Sequence, residues 1–232
     1  MNLKQQAAEY ALTYVRSGMT LGLGTGSTTA YFIGALGEYL RSGKLQDIQA
    51  VPTSNATVAL ATSCGIRLTT LSELSRQHEK VVLDVAVDGA DEVDPDLNLI
   101  KGLGRALLRE KIVEIHAREF IIVVDESKIV PRLGRGPLPV ELVPFEYEVN
   151  IQWLRGLGCR AELWCEEDGS PVVTDNGNYL VRCWFEAGIY NPHALALVMA
   201  ERPGLVEHGL FLEMATRVVV AGSDGIRTME RK

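Results

Sequence analysis

Only four cysteines occur in the 232 residues, Cys64, Cys159, Cys165 and Cys183, and no two of them form a Cys-x-x-Cys pair. So few exclude a disulfide scaffold and point to buried or idle thiols in a reducing cytosol. Histidine is just as scarce. His78, His116, His193 and His208 are scattered without metal-ligand spacing, so no His-based metal centre is expected. No apolar run approaches the roughly 18–20 residues needed to cross a bilayer. Met1 to Tyr10 is polar and mixed in charge, unlike a signal peptide. Basic residues are outnumbered, 23 Lys plus Arg against 30 Asp plus Glu, for a net charge of −7. This argues against nucleic acid as the main partner, because backbone phosphates need a net basic face. A small anionic substrate is still admissible, since a few cations and backbone amides can hold one. The expectation is a cytoplasmic protein with no membrane and no nucleic-acid partner.

What is present fits a globular fold: 47% of residues are hydrophobic and 23% charged. Leu3 to Ser17 places Leu3, Ala7, Ala8, Ala11, Leu12 and Val15 on one helical stripe, with Gly18 as a C-cap. Thr20 to Leu23 reads as a strand running into Gly24-Thr25-Gly26-Ser27-Thr28, followed by a helix. Extended and helical segments then alternate: Ile48 to Val51, Asn55 to Cys64, Ile66 to Leu68, Val81 to Val87, Leu103 to His116, and Phe120 to Val124. Short apolar strands alternating with helices predict an α/β fold, a mostly parallel sheet with helices on both faces. After Lys128 prolines and glycines interrupt the pattern. A short helix near Val149 to Gly156, strands at Arg160 to Trp164 and Tyr179 to Phe185, a hairpin turn at Thr174 to Asn178 and a helix from Pro192 follow. Residues 130–205 are therefore expected to be a small inserted α+β domain. Residues 1–129 and 206–232 form the main one, to which Arg217 to Ala221 returns as a strand.

Three segments could carry chemistry. The loop Gly24 to Thr28, between strand and helix, offers amides and hydroxyls to an anion. It lacks the third glycine of a dinucleotide fingerprint and the Gly-Lys-Ser/Thr of a P-loop, and by itself it is equally a tight turn with an N-cap. Asp88-Gly89-Ala90-Asp91-Glu92 follows a buried strand at the carboxyl edge of the sheet, where open α/β folds bind ligands. Three acids so close repel unless they face water, a cation or a substrate; a solvated acidic loop is the plain alternative. Lys101-Gly102-Leu103-Gly104 puts a lysine beside glycines, and the helix after it carries Arg109, Glu110 and Lys111. Glu110, and Lys128 after Asp125-Glu126-Ser127, would singly be surface residues.

The ordered set of these segments, together with Pro137-Leu138-Pro139-Val140-Glu141, Val173 to Asn178, His208-Gly209-Leu210-Phe211 and Ser223-Asp224-Gly225, resembles the A-type ribose-5-phosphate isomerases along effectively the whole chain. The resemblance implies a Rossmann-like domain with a smaller α/β insert and an aldose–ketose isomerase of the non-oxidative pentose phosphate pathway. The enzyme would need no metal and no cofactor, take a small-molecule sugar phosphate and assemble as a homodimer or homotetramer. It implies Glu110 as catalytic base, Asp88 and Asp91 on the sugar hydroxyls, and Lys101 on the developing oxyanion. Thr25, Gly26, Ser27, Thr28, Gly89, Ala90, Gly102, Leu103, Gly104 and Lys128 would line the substrate, with the phosphate near Ser27, Thr28 and Lys128 and Lys4 approaching it. Glu114, one turn beyond Glu110 and farther from the lysine loop, would tolerate substitution. Two departures stand out. The family has three glycines and an alanine after the lysine, where this chain has Gly102-Leu103-Gly104-Arg105, and a threonine where it has Leu108. Leu103 resists positive φ, so a loop needing it there would have to be rebuilt.

Overall fold

The computed structural model describes residues 2–77, 80 and 82–231. His78 and Val81, named above, lie outside the described residues. The helices are α1 (Leu3–Ala11), α2 (Ser27–Arg41), α3 (Asn55–Ser63), α4 (Leu71–Gln77), α5 (Leu107–Glu114), α6 (Tyr147–Arg155) and α7 (Pro192–Ala200). The strands begin with β1 (Thr20–Leu23), β2 (Gln49–Pro52), β3 (Arg67–Leu68), β4 (Leu83–Asp88), β5 (Glu92–Val93), β6 (Leu99–Ile100) and β7 (Ala117–Asp125). They continue with β8 (Leu138–Leu142), β9 (Arg160–Leu163), β10 (Tyr179–Trp184), β11 (Leu205–His208), β12 (Leu210–Phe211), β13 (Arg217–Gly222) and β14 (Gly225–Glu230). The chain divides into two compact units, Met1–Gly89 with Arg109–Lys128 and Glu213–Lys232, and Ala90–Leu108 with Ile129–Leu212.

The first unit holds a seven-stranded sheet in the order β14-β13-β7-β4-β1-β2-β3. All its pairs are parallel except the closing β13–β14 hairpin. The strands read as apolar runs because helices cover them. Ala7, Ala8 and Ala11 of α1, and Phe32, Ile33 and Leu36 of α2, pack with Leu21, Leu23, Val85, Val87, Ile121 and Val219. Helix α5 lies over the opposite face, where a Cβ on Gly22 would meet Ala86 and Val113. Asn2 caps α1 by accepting the Lys4 amide at 3.0 Å. The helix ends at Ala11, earlier than the apolar stripe suggests, because a 3₁₀ turn (Leu12–Tyr14) follows and Val15 is extended. Gly18, at φ +83°, turns the chain into β1 rather than capping a helix.

The second unit has a four-stranded antiparallel sheet, β11-β8-β10-β9, and a three-stranded one, β12-β6-β5. It is larger than the expected insert. Residues 90–108 and the stretch up to Leu212 belong here because β6 pairs antiparallel with both β5 and β12, and β11 pairs with β8. Alternate residues of β8 and β10, Leu138, Val140, Leu142, Val181 and Cys183, face Ile151 and Leu154 of α6. The hairpin read from the sequence is present: the Thr174 amide donates to Asn178 O at 2.9 Å, and Gly177 takes φ +80°. Its turn is anchored by the buried Glu141, which accepts from Thr174 Oγ1 (2.9 Å), Asn176 Nδ2 (3.1 Å) and Asn178 Nδ2 (2.8 Å). All four cysteines are free thiols. No helix among the described residues is long and apolar enough to cross a membrane.

Candidate active site

In the first unit β1 and β4 end side by side, Leu23 beside Val87, and β7 runs on past Asp88, which stands beside Ile122. The loop after β1 and the acid ending β4 are thereby brought together. Asp88 is fully buried. Its Oδ1 accepts from the Thr25 amide (3.1 Å), Thr29 Oγ1 (2.9 Å) and its neighbour's amide at Gly89 (2.7 Å). Three donors on one oxygen fix the direction of the carboxylate. The carboxylate lies so close to Gly24 that a Cβ there would fall 1.9 Å from its Cγ. Thr25 Oγ1 meets Thr53 Oγ1 and Ser54 Oγ at 2.8 Å, while Thr57 Oγ1 donates to Gly24 O at 2.8 Å. These hydroxyls, from the β2–α3 turn and the first turn of α3, set the loop's shape.

Gly26, at φ +130°, is the N-cap of α2 and brings no side-chain acceptor to its first turn. Ser27 is exposed and Thr28 half-buried there, and Lys4 Nζ of α1 reaches Ser27 Oγ at 3.0 Å. Lys128 is half-buried at the end of a 3₁₀ turn (Glu126–Lys128) that follows β7. Glu110 sits in the first turn of α5 and is 2% exposed. Arg109 beside it donates to Asn55 Oδ1 at 3.1 Å, tying α5 to the start of α3. Glu114 is 3% exposed. Its burial makes it a poor candidate for a silent position, contrary to the expectation from spacing.

In the second unit Lys101 follows β6. Its amide donates to Gly209 O at 2.9 Å, its side chain is 2% exposed, and Nζ stands 5.3 Å from the centre of the Phe211 ring. Gly209 has no room for a side chain: a Cβ would lie 2.1 Å from Lys101 O. Asp91, half-buried, accepts the Leu103 amide at 3.0 Å. The loop takes positive φ at Gly102 (+114°) and Arg105 (+65°), and not at Leu103. Leu103 therefore forces no rebuilding; the unusual conformation falls on the arginine instead. Helix α5 accordingly starts at Leu107, later than its apolar pattern suggests. Leu108 lies half-buried in its first turn, and Gly104 is exposed.

The acidic run separates by role. Glu92 is buried and accepts from the amides of Gly134 (2.7 Å), Arg135 (3.3 Å) and Gly136 (2.5 Å), which makes it a brace for that loop. Asp88 and Asp91 fall in different units, on either side of the Gly89–Ala90 division. Sequence reasoning missed Thr29, Thr53, Ser54 and Thr57, whose hydroxyls gave no signal apart from their polarity within apolar stretches. It noted Gly209 and Phe211 only as part of a motif. Among the described residues no group of three His, Cys, Asp or Glu side chains could hold a metal ion.

The sequence profile of ribose 5-phosphate isomerase A (phosphoriboisomerase A) matches residues 49–225. A ribose-5-phosphate isomerase A of Roseiflexus castenholzii is 50% identical over 228 residues, covering 98% of this chain and 94% of its own. A probable ribose-5-phosphate isomerase 3 of Arabidopsis thaliana, described as chloroplastic, is 45% identical over 99% of this chain and 83% of its own. Among solved structures, a D-ribose-5-phosphate isomerase in complex with phospho-erythronic acid superposes with a TM-score of 0.93 at 41% identity, covering 100% of both chains. On the strength of these matches along its whole length, the chain belongs to the ribose 5-phosphate isomerase A family.

Proposed function

We propose that the chain, an isomerase of pentose phosphates by its family, interconverts D-ribose 5-phosphate and D-ribulose 5-phosphate by carboxylate proton transfer through an enediolate. The observation that carries this reading is the clasp on Asp88, which fixes a buried carboxylate beside a glycine-rich loop at the carboxyl edge of a parallel sheet.

The reaction moves one proton between adjacent carbons and another between their oxygens. Glu110 takes the proton from C2 of the open-chain aldose and returns it to C1, a form of acid–base catalysis worth roughly 100- to 10,000-fold. Charge that reaches oxygen in the enediolate is met by the Lys101 ammonium. Asp88 or Asp91 carries the hydroxyl proton and assists ring opening. The phosphate is held by Ser27, Thr28 and Lys128, with Lys4 beside Ser27, and its binding energy positions the reacting carbons. Backbone groups of Thr25, Gly26, Gly89, Ala90, Gly102, Leu103 and Gly104 line the sugar.

The same reading makes the enzyme cofactor- and metal-free, cytoplasmic, and a homodimer or homotetramer without nucleic-acid or membrane partners. One coupled assay tests its centre: ribose 5-phosphate is converted at an unchanged rate after exhaustive chelation. Loss of turnover on chelation, restored by one divalent metal, overturns the metal-free mechanism, and absence of turnover in both arms overturns the substrate.

A further inference from the structure

The lysine loop contains an arginine in a conformation that L-residues rarely adopt, and its side chain is anchored at both its charge and its plane. Arg105 takes φ +65° and its amide closes a turn on Gly102 O at 2.9 Å. Holding a side chain other than glycine in the left-handed region costs about 1–2 kcal/mol. The guanidinium forms a two-pronged pair with Glu166, with Nη2 to Oε2 at 3.1 Å, and stacks 5.1 Å from the centre of the Trp164 indole. Trp164 and Glu166 belong to the segment leaving β9, where Glu166 is fixed in its own turn: its amide donates to Ser170 O at 2.8 Å and its carbonyl accepts from Gly169.

We propose that Arg105 is a positioning residue for the established type of reaction: its clamp on Glu166 and Trp164 fixes the Lys101–Gly104 loop and so the direction of the Lys101 ammonium. The proposal rests on the role given to Lys101 above. The clamp adds little to overall stability, because both partners are about two-fifths exposed, 40% and 44%. Exposed ion pairs and cation–π contacts are small, and here they roughly offset the backbone strain. What the clamp supplies is a single loop conformation, and small displacements of a reacting group cost up to roughly 100-fold in rate.

Two explanations of Arg105 give opposite results with one variant. Arg105→Gly relaxes the backbone at positive φ and removes the clamp. If the clamp matters, Arg105→Gly and Glu166→Ala each lower kcat roughly 10-fold with KM within about threefold. The double variant is then no worse than either single one, since both remove the same contact. Arg105→Lys, which keeps the charge but not the fork, recovers only part of the rate. Amide exchange over residues 103–105 should quicken in both single variants, a readout independent of turnover. Unchanged exchange in the single variants, or additive losses in the double variant, would overturn the clamp. Quickened exchange with unaltered kcat would instead overturn the role assigned to Lys101.

Discussion

Gly24→Ala is the sharpest test of how the first unit holds its carboxylate. The backbone at Gly24 does not take positive φ, so the position demands space and not conformational freedom. A methyl there would lie 1.9 Å from Cγ, 2.1 Å from Oδ1 and 2.4 Å from Cβ of Asp88. Ordinary carbon contacts begin near 3.5 Å, so the acid must retreat by roughly 1.5 Å. Its bonds to Thr25, Thr29 and Gly89, now 3.1, 2.9 and 2.7 Å, cannot survive that shift together. Hydrogen bonds to a charged group are worth about 1.5–3 kcal/mol each, which bounds the loss at roughly 5–9 kcal/mol. Partial relaxation brings the expected cost to about 3–5 kcal/mol, a large share of the roughly 5–15 kcal/mol that holds a domain folded. Urea denaturation measures it, and the melting temperature should drop by roughly 6–20 °C. In an Asp88→Gly background, which removes the obstructing Cβ as well, adding Gly24→Ala should cost less than about 0.5 kcal/mol. A Gly24→Ala protein within about 1 kcal/mol of the parent and fully active would refute the reasoning.

Glu110→Gln keeps the shape and removes the base, so turnover should fall at least roughly 100-fold while a competitive sugar-phosphate inhibitor binds within several-fold of the parent. Glu38→Gln, at an exposed position of α2, is the matched silent change, and retained turnover in Glu110→Gln would remove that residue from the mechanism. Lys128→Ala should weaken binding of ribose 5-phosphate far more than that of ribose, measured by calorimetry; equal losses would place the ammonium away from the phosphate. Glu141→Ala leaves the Thr174, Asn176 and Asn178 donors without their acceptor and should cost about 3 kcal/mol or more in a urea titration. Glu141→Gln, which retains one carbonyl oxygen, should cost less than half of that, and equal costs would show that the anchor is not the hydrogen bonding.

The sheet of the first unit was legible because its strands are covered on both faces. Val85-Ala86-Val87 and Ile121-Ile122-Val123 are unbroken apolar runs, and their order relative to the helices dictates parallel pairing. The two-residue strands Glu92–Val93, Leu99–Ile100 and Leu210–Phe211 are too short for any period to register. The pairing of Leu99–Ile100 with Leu210–Phe211 is long-range, and it ties residues 90–108 to the second unit. The same limit applies to the acids. Asp88, Asp91 and Glu92 are equivalent in a sequence, yet one is clasped by two amides and a hydroxyl, one holds the Leu103 amide and one braces a distant loop. Which role falls to which acid depends on donors supplied from positions 25, 103 and 134, and spacing along the chain carries no trace of them. The Lys101 loop gives the clearest case. Judged from residue types, the strain belongs at Leu103, where a bulky residue stands between glycines. In the fold the positive φ falls two residues later, on Arg105, because Gly102 turns first and the Arg105 amide closes that turn. A side chain that reaches both a carboxylate and an indole holds it there, so the residue that carries the strained backbone also makes the contacts that compensate for it.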